Sequence, residues 1–197
     1  MRLYLRSRRV LLNALLVLLI SAVNLACGPR VLTVLSGHPG GTVPYRSVLG
    51  LFAAVLLVAG LDSPVPGVDQ GDTGPLRRAR AWHAGVGALA GAVLIGAGNL
   101  PDGGAAALSG VRAFITWYAL AALSALIAGA GLSWIAPLAG LALIVWCGTP
   151  DSEPAAWNWI TAPAGQPLTW LPALGVLAAA VFIGGSYSKL RLRQIRV

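Results

Sequence analysis

Residues Val111–Trp146 read VRAFITWYALAALSALIAGAGLSWIAPLAGLALIVW. The run is almost wholly apolar, and its only charged side chain is Arg112. A helix crossing a bilayer needs about 20 apolar residues, so this run is too long for one span. The spacing predicts two helices joined by a tight turn at Gly129-Ala130-Gly131, with Pro137 inside the second. A guanidinium at the edge of hydrocarbon is costly and is retained for a reason. Arg112 either snorkels to the headgroups or faces an interior cavity, and the sequence leaves both readings open.

Composition extends this reading to the whole chain. Of 197 residues, 57% are hydrophobic and 10% charged, and the mean hydropathy is +0.77. Soluble domains carry about 25% charged residues. No polar stretch is long enough for a second, water-soluble domain, so residues 1–197 form a single transmembrane domain. The net charge of +8 would suggest nucleic acid in a soluble protein. Here the basic residues sit at the ends of apolar runs, where they orient the chain, and no nucleic-acid partner is expected.

Residues 1–9 carry Arg2, Arg6, Arg8 and Arg9, followed by the apolar run VLLNALLVLLISAVNLAC at 10–27. A basic start before an apolar stretch also describes a secretory signal peptide, and Asn-Leu-Ala-Cys is like a lipoprotein cleavage site. Because the remainder is itself apolar, an uncleaved first helix is the simpler reading. Gly28-Pro29, Pro39-Gly40-Gly41 and Pro44 mark a loop over 28–46. The second helix is expected over 47–61, extensible backward through Tyr45. The loop 62–81 opens with Asp62, Asp69 and Asp72 and closes on Pro75-Leu76-Arg77-Arg78-Ala79-Arg80-Ala81-Trp82. Pro75 suits a first helical position, so 75–82 can form a short surface helix leading into a third span at 83–99.

In that span Gly87 and Gly91 lie four apart, as do Ala92 and Gly96. Small residues at this spacing let a neighbouring helix approach, and packing within one subunit is favoured over a dimer contact. Residues 100–105 read as a turn, with helices four and five at 106–128 and 132–147. Residues 148–168 hold Pro150, Pro154, Pro163 and Pro167 with Trp157 and Trp159. The prolines forbid one continuous helix and the tryptophans favour the interface, so the segment folds at the outer surface. A sixth helix is expected over 169–186, before a tail with Lys189, Arg191, Arg193 and Arg196.

An excess of Lys and Arg marks the cytoplasmic side. With six spans, both tails and the loop 62–81 share one side and hold most of the basic residues; the other side holds Arg30 and Arg46, with Arg112 just inside helix four. The expected fold is therefore all-α and polytopic. It has six transmembrane helices, cytoplasmic termini and a broken extracellular segment between helices five and six.

No H-E-x-x-H, G-x-S-x-G or P-loop is present, and no pair of acids lies at membrane depth. No catalytic set, metal site or cofactor is expected. His38 and His83 fall on opposite sides, against a shared haem. Cys27 and Cys147 both fall at outer helix ends, where a disulfide is chemically possible, but unpaired apolar cysteines are preferred.

The layout resembles the permease subunits of export-type ABC transporters, and is most similar to short permease-like proteins of high-GC bacteria. The resemblance is carried by Leu61-Asp62-Ser63-Pro64, by Pro75-Leu76-Arg77-Arg78-Ala79-Arg80 and by Arg112 opening helix four. Leu132-Ser133-Trp134-Ile135-Ala136-Pro137-Leu138 and Trp157-Asn158-Trp159 add to it. In one respect the chain departs from that class: residues 1–9 are barely long enough for an amphipathic helix before the first span. The resemblance implies a subunit that is not itself an enzyme and works with an ABC ATPase subunit, a second permease half, the same or different, and membrane lipid. It assigns an ATPase-coupling loop to Pro75, Leu76, Arg77, Arg78, Arg80 and Trp82, and a translocation path to Arg112, Trp117, Trp157 and Trp159. The rival class is a non-transporting membrane subunit with an immunity, regulatory or assembly role.

The charge distribution predicts sidedness. Single cysteines at Ser36, Asp102 and Ser152 of a Cys-free variant are expected to react with a membrane-impermeant reagent on intact cells, whereas cysteines at Asp69 and Ser188 are not. Labelling at 188 would overturn the parity of six spans.

Overall fold

The computed structural model describes residues 10–28, 31–33, 42–61, 74–147, 160 and 165–181. They are mostly helical, in the order α1 (Val10–Cys27), β1 (Val31–Thr33), β2 (Thr42–Pro44), α2 (Tyr45–Ala59), α3 (Gly74–Asn99), α4 (Gly104–Ala128) and α5 (Ile135–Cys147). A 3-10 turn, Pro167–Thr169, then leads into α6 (residues 170–181). Among the described residues, four helical stretches are long and apolar enough to cross a membrane: Val10–Cys27, Arg78–Asp102, Gly104–Ala128 and Ala130–Cys147. Tyr45–Ala59 and Pro167–Val181 are apolar but shorter. By length and composition the chain is a membrane protein.

The helix-four/helix-five boundary falls where the sequence places it. Gly129, at φ 97°, ends α4 in a backbone region that disfavours side chains, and Ala130–Leu132 form a 3-10 turn. Ser124 fastens this corner: its Oγ donates to Leu132 O at 2.8 Å and accepts from Ala136 N at 3.4 Å. Pro137 lies in the first turn of α5, where its missing N–H leaves no intrahelical bond unmade.

Two expectations are corrected. Residues 75–82 are not a separate surface helix. They are the opening turns of α3, which runs unbroken from Gly74 to Asn99. Pro75 sits in the first turn, and no proline follows it before residue 99, so nothing stops the helix. The second correction is in the loop 28–46, part of which is an antiparallel ribbon pairing Val31 with Pro44, Leu32 with Val43 and Thr33 with Thr42. β2 feeds directly into α2 and buries Val43. The basic tails, the whole of the loop 62–73 and most of 148–164 lie outside the described residues.

α4 is the centre. It packs on α2, α3 and α5. Arg112, Ala113, Phe114, Thr116, Trp117, Tyr118, Ala119 and Ala121 are all buried. At 100° per residue those positions go right round the helix, so α4 has no exposed face along this stretch. Tyr118 packs against Phe114 with the rings tilted by 34° and their centroids 6.0 Å apart, and it donates its hydroxyl to Ala84 O of α3 at 3.0 Å. α1 shows the opposite pattern. It buries Val17, Ser21 and Asn24 and turns Leu11, Leu12, Leu15, Leu18, Leu19 and Leu25 outward. So large an apolar exterior is suited to hydrocarbon and not to water.

The α3–α4 contact depends on a close approach at Gly91. A Cβ there would fall inside contact distance of the Phe114 ring and would meet Leu57 Cδ1 at 2.9 Å. Gly85, two turns earlier, faces open space. Gly91→Ala is therefore expected to destabilise the purified protein by about 1–3 kcal/mol. Gly85→Ala should be neutral or stabilising by up to about 1 kcal/mol. Thermal unfolding of both variants in detergent checks the contrast, and equal midpoints would refute it.

Candidate functional site

The site is built at the end of the helices where α1 and α3 finish and α4 begins. Arg112 lies eight residues into α4, about 12 Å along its axis. It is fully buried. The side chain is therefore enclosed by protein and does not extend outward from the bundle. Its Nη1 donates to Thr169 Oγ1, and that hydroxyl donates onward to Gln166 O at 2.6 Å. One threonine thus accepts from the guanidinium while its own proton is satisfied by backbone. The guanidinium carbon also stands 5.9 Å from the centre of the Trp170 ring, within cation–π range. From the α4 side, Thr116 Oγ1 donates to Arg112 O at 3.0 Å.

A second polar group occupies the same end of the molecule. Arg46, at the start of α2, donates from Nε to Gly28 O at 3.1 Å and forms an ion pair with Asp102, just past α3. One side chain thereby joins the ends of α1, α2 and α3. Close by in the chain, Asn24 and Asn99 are buried. Asn99 Nδ2 donates to Ile95 O at 2.7 Å. The Asn24 side chain packs against Gly98. Neither its amide group nor Ser21 Oγ has a hydrogen-bond partner among the described residues.

Sequence reasoning missed Thr169, the Arg46–Asp102 pair and the buried asparagines. A usable signal existed for α1. Asn13, Ser21 and Asn24 are spaced by eight and three residues, which places them on one face of an otherwise leucine-rich helix.

Of the residues expected to line a path, the structure does not bring Arg112 and Trp117 together. Trp117 is fully buried on another side of α4, close to Gly50 of α2 and Gly140 of α5, and its Nε1 has no hydrogen-bond partner among the described residues. Trp157 and Trp159 lie outside the described residues. Gly87 and Gly91 face Leu57 of α2, with Phe114 of α4 also against Gly91. In the expected coupling segment, Arg78 and Trp82 are exposed and Arg80 is half-buried, while the backbone of Pro75, Leu76 and Arg77 is helical. Cys27 and Cys147 are both free thiols. No group of three or more His, Cys, Asp or Glu side chains suited to a metal gathers among the described residues.

Compared with known proteins, the chain matches no protein-family model, no curated protein and no solved structure.

A buried cation stands or falls with its partners, because removing one leaves a charge in low dielectric. Thr169→Val removes the acceptor from Arg112 and the donor from Gln166 O. It is expected to cost about 1–3 kcal/mol, whereas Thr169→Ser should cost much less. Thermal unfolding in detergent measures both, and a valine variant as stable as the serine variant would refute the role given to the hydroxyl.

Proposed function

We propose that this chain is the membrane-spanning permease subunit of an ABC transporter, an exporter. It would span the plasma membrane with six helices, α1 to α6, and both termini in the cytoplasm. Substrate would pass between two permease halves, driven by a separate ATPase subunit. The six-helix count takes the shorter α2 and α6 as spans beside the four long ones. The sidedness follows from the concentration of Lys and Arg in both tails and around residues 77–80.

The observation that best supports this reading is the continuity of α3. Its 26 residues extend about 39 Å, beyond a hydrocarbon core of about 30 Å. The segment that resembles an ATPase-coupling loop is thus rigidly joined to a span. A push on Arg77, Arg78 and Arg80 would tilt α3 and, through Gly91 and Phe114, act on α4. A flexible loop would dissipate the same push.

A second reading, a non-transporting membrane subunit with an immunity, regulatory or assembly role, draws support from the filled centre. Trp117, Phe114 and Arg112 are all fully buried on α4, which suits a static scaffold.

Replacing Arg77, Arg78 and Arg80 together by Gln separates the two. In a correctly inserted triple variant, the transporter reading expects loss of the co-purifying ATPase or of its stimulated ATP hydrolysis in nanodiscs. Unchanged binding and unchanged stimulation would reject coupling through these arginines.

A further inference from the structure

Residues 78–89 of α3 carry a shallow groove facing away from the bundle. Arg78, Ala81, Trp82, Gly85, Val86 and Leu89 line about 340 Å³ of space. Spacings of three and four residues put these side chains on one face. Trp82, Val86 and Leu89 are exposed at 69%, 55% and 68%, so none of the described residues covers the groove. Nothing lies within 4 Å of a Cβ at Gly85, which leaves the middle of the groove open. The stretch apolar enough to cross a membrane begins at Arg78 itself.

We propose that this groove is a binding site for one anionic glycerophospholipid. The charge order along the helix matches that ligand and no neutral one. Arg78 is exposed where that stretch begins, and at headgroup depth its fork of donors would suit a phosphate. Trp82 is one turn deeper, where an indole sits between headgroup and chain. Gly85, Val86 and Leu89 continue from it along the same helix face and would offer an acyl chain a shallow, open furrow with apolar walls. A protein partner would meet the same apolar walls but would need a carboxylate at the depth of Arg78. The lipid brings its negative charge to that depth by its own structure. Arg80 is two residues on, about 200° round the helix from Arg78, and is half-buried, so it does not share the groove.

The test is native mass spectrometry of the full chain released from detergent with equal amounts of phosphatidylglycerol and phosphatidylcholine of identical chains. Wild-type protein is expected to retain one phosphatidylglycerol in about fivefold preference, the effect of one arginine at an anionic surface. Arg78→Gln should abolish the preference, Arg78→Lys should keep most of it, and Arg80→Gln should leave it unchanged. Gly85→Leu, which fills the groove, should lower retention of both lipids. The proposal is overturned if wild-type protein shows no preference, if Arg78→Gln keeps it, or if Arg80→Gln loses it equally, which would make the attraction diffuse. Each single variant leaves two of the three arginines in place, so loss of lipid preference is read separately from loss of an ATPase.

Discussion

The structure depends on enclosing one arginine. A charge on a membrane-spanning helix is tolerated only where other groups replace its water. For Arg112 those groups include Thr169, in the turn before α6, and Trp170, at its start. The constraint acts in two directions. It fixes the rotation of α4, since the guanidinium must face α6. It also fixes where the chain returns after α5, since the 3-10 turn Pro167–Thr169 has to present its hydroxyl at the depth of Arg112. With α4 so oriented, Phe114 falls against Gly91 of α3 and Trp117 against Gly50 and Gly140. The orientation of the cation and the packing of the core thus agree with one rotation of α4.

Much of the fold was legible because hydrocarbon is a simple solvent. Lengths of apolar runs and the glycines at 103 and 129 define the ends of α3, α4 and α5. Pro75 reads correctly as a helix start. What it cannot convey is where the helix it opens ends, because the arginines at 77, 78 and 80 change the polarity of the sequence without changing its helical preference. The eye takes a change of solvent for a change of structure. The ribbon was missed for another reason. Three-residue strands are too short to display alternation, and the flanking Gly and Pro residues announce turns more strongly than Val31, Leu32 and Val43 announce strands.

The site was legible only in half. Arg112 stands out in the sequence because it is the sole charge in a long apolar run. Thr169 does not stand out, since a threonine among Pro167, Leu168 and Trp170 is unremarkable until the fold brings the guanidinium to it. The same asymmetry separates Arg46 from Asp102. Each was assigned to the outer side by topology, but their pairing across 56 positions depends on α1, α2 and α3 ending at one level. Sequence identifies the expensive group, and only the tertiary structure identifies what offsets it.

Helix lengths relate that expense to the thickness of a bilayer. From Arg78 to Asn99, α3 rises about 32 Å, close to the hydrocarbon thickness of about 30 Å. Its two ends are marked by polar groups of different kinds: an exposed arginine and tryptophan at one, and a buried asparagine followed by the Arg46–Asp102 pair at the other. The slab between them is set by what the side chains can tolerate on each side. With α4 taken as a span that starts from the second boundary, a residue about 12 Å along it would lie well inside hydrocarbon. At the first boundary an arginine can remain on the surface, because headgroups are within its reach. At the depth of Arg112 they are not, and the same side chain has to turn inward. The two arginines, one outward on α3 and one enclosed on α4, follow from one rule applied at two depths.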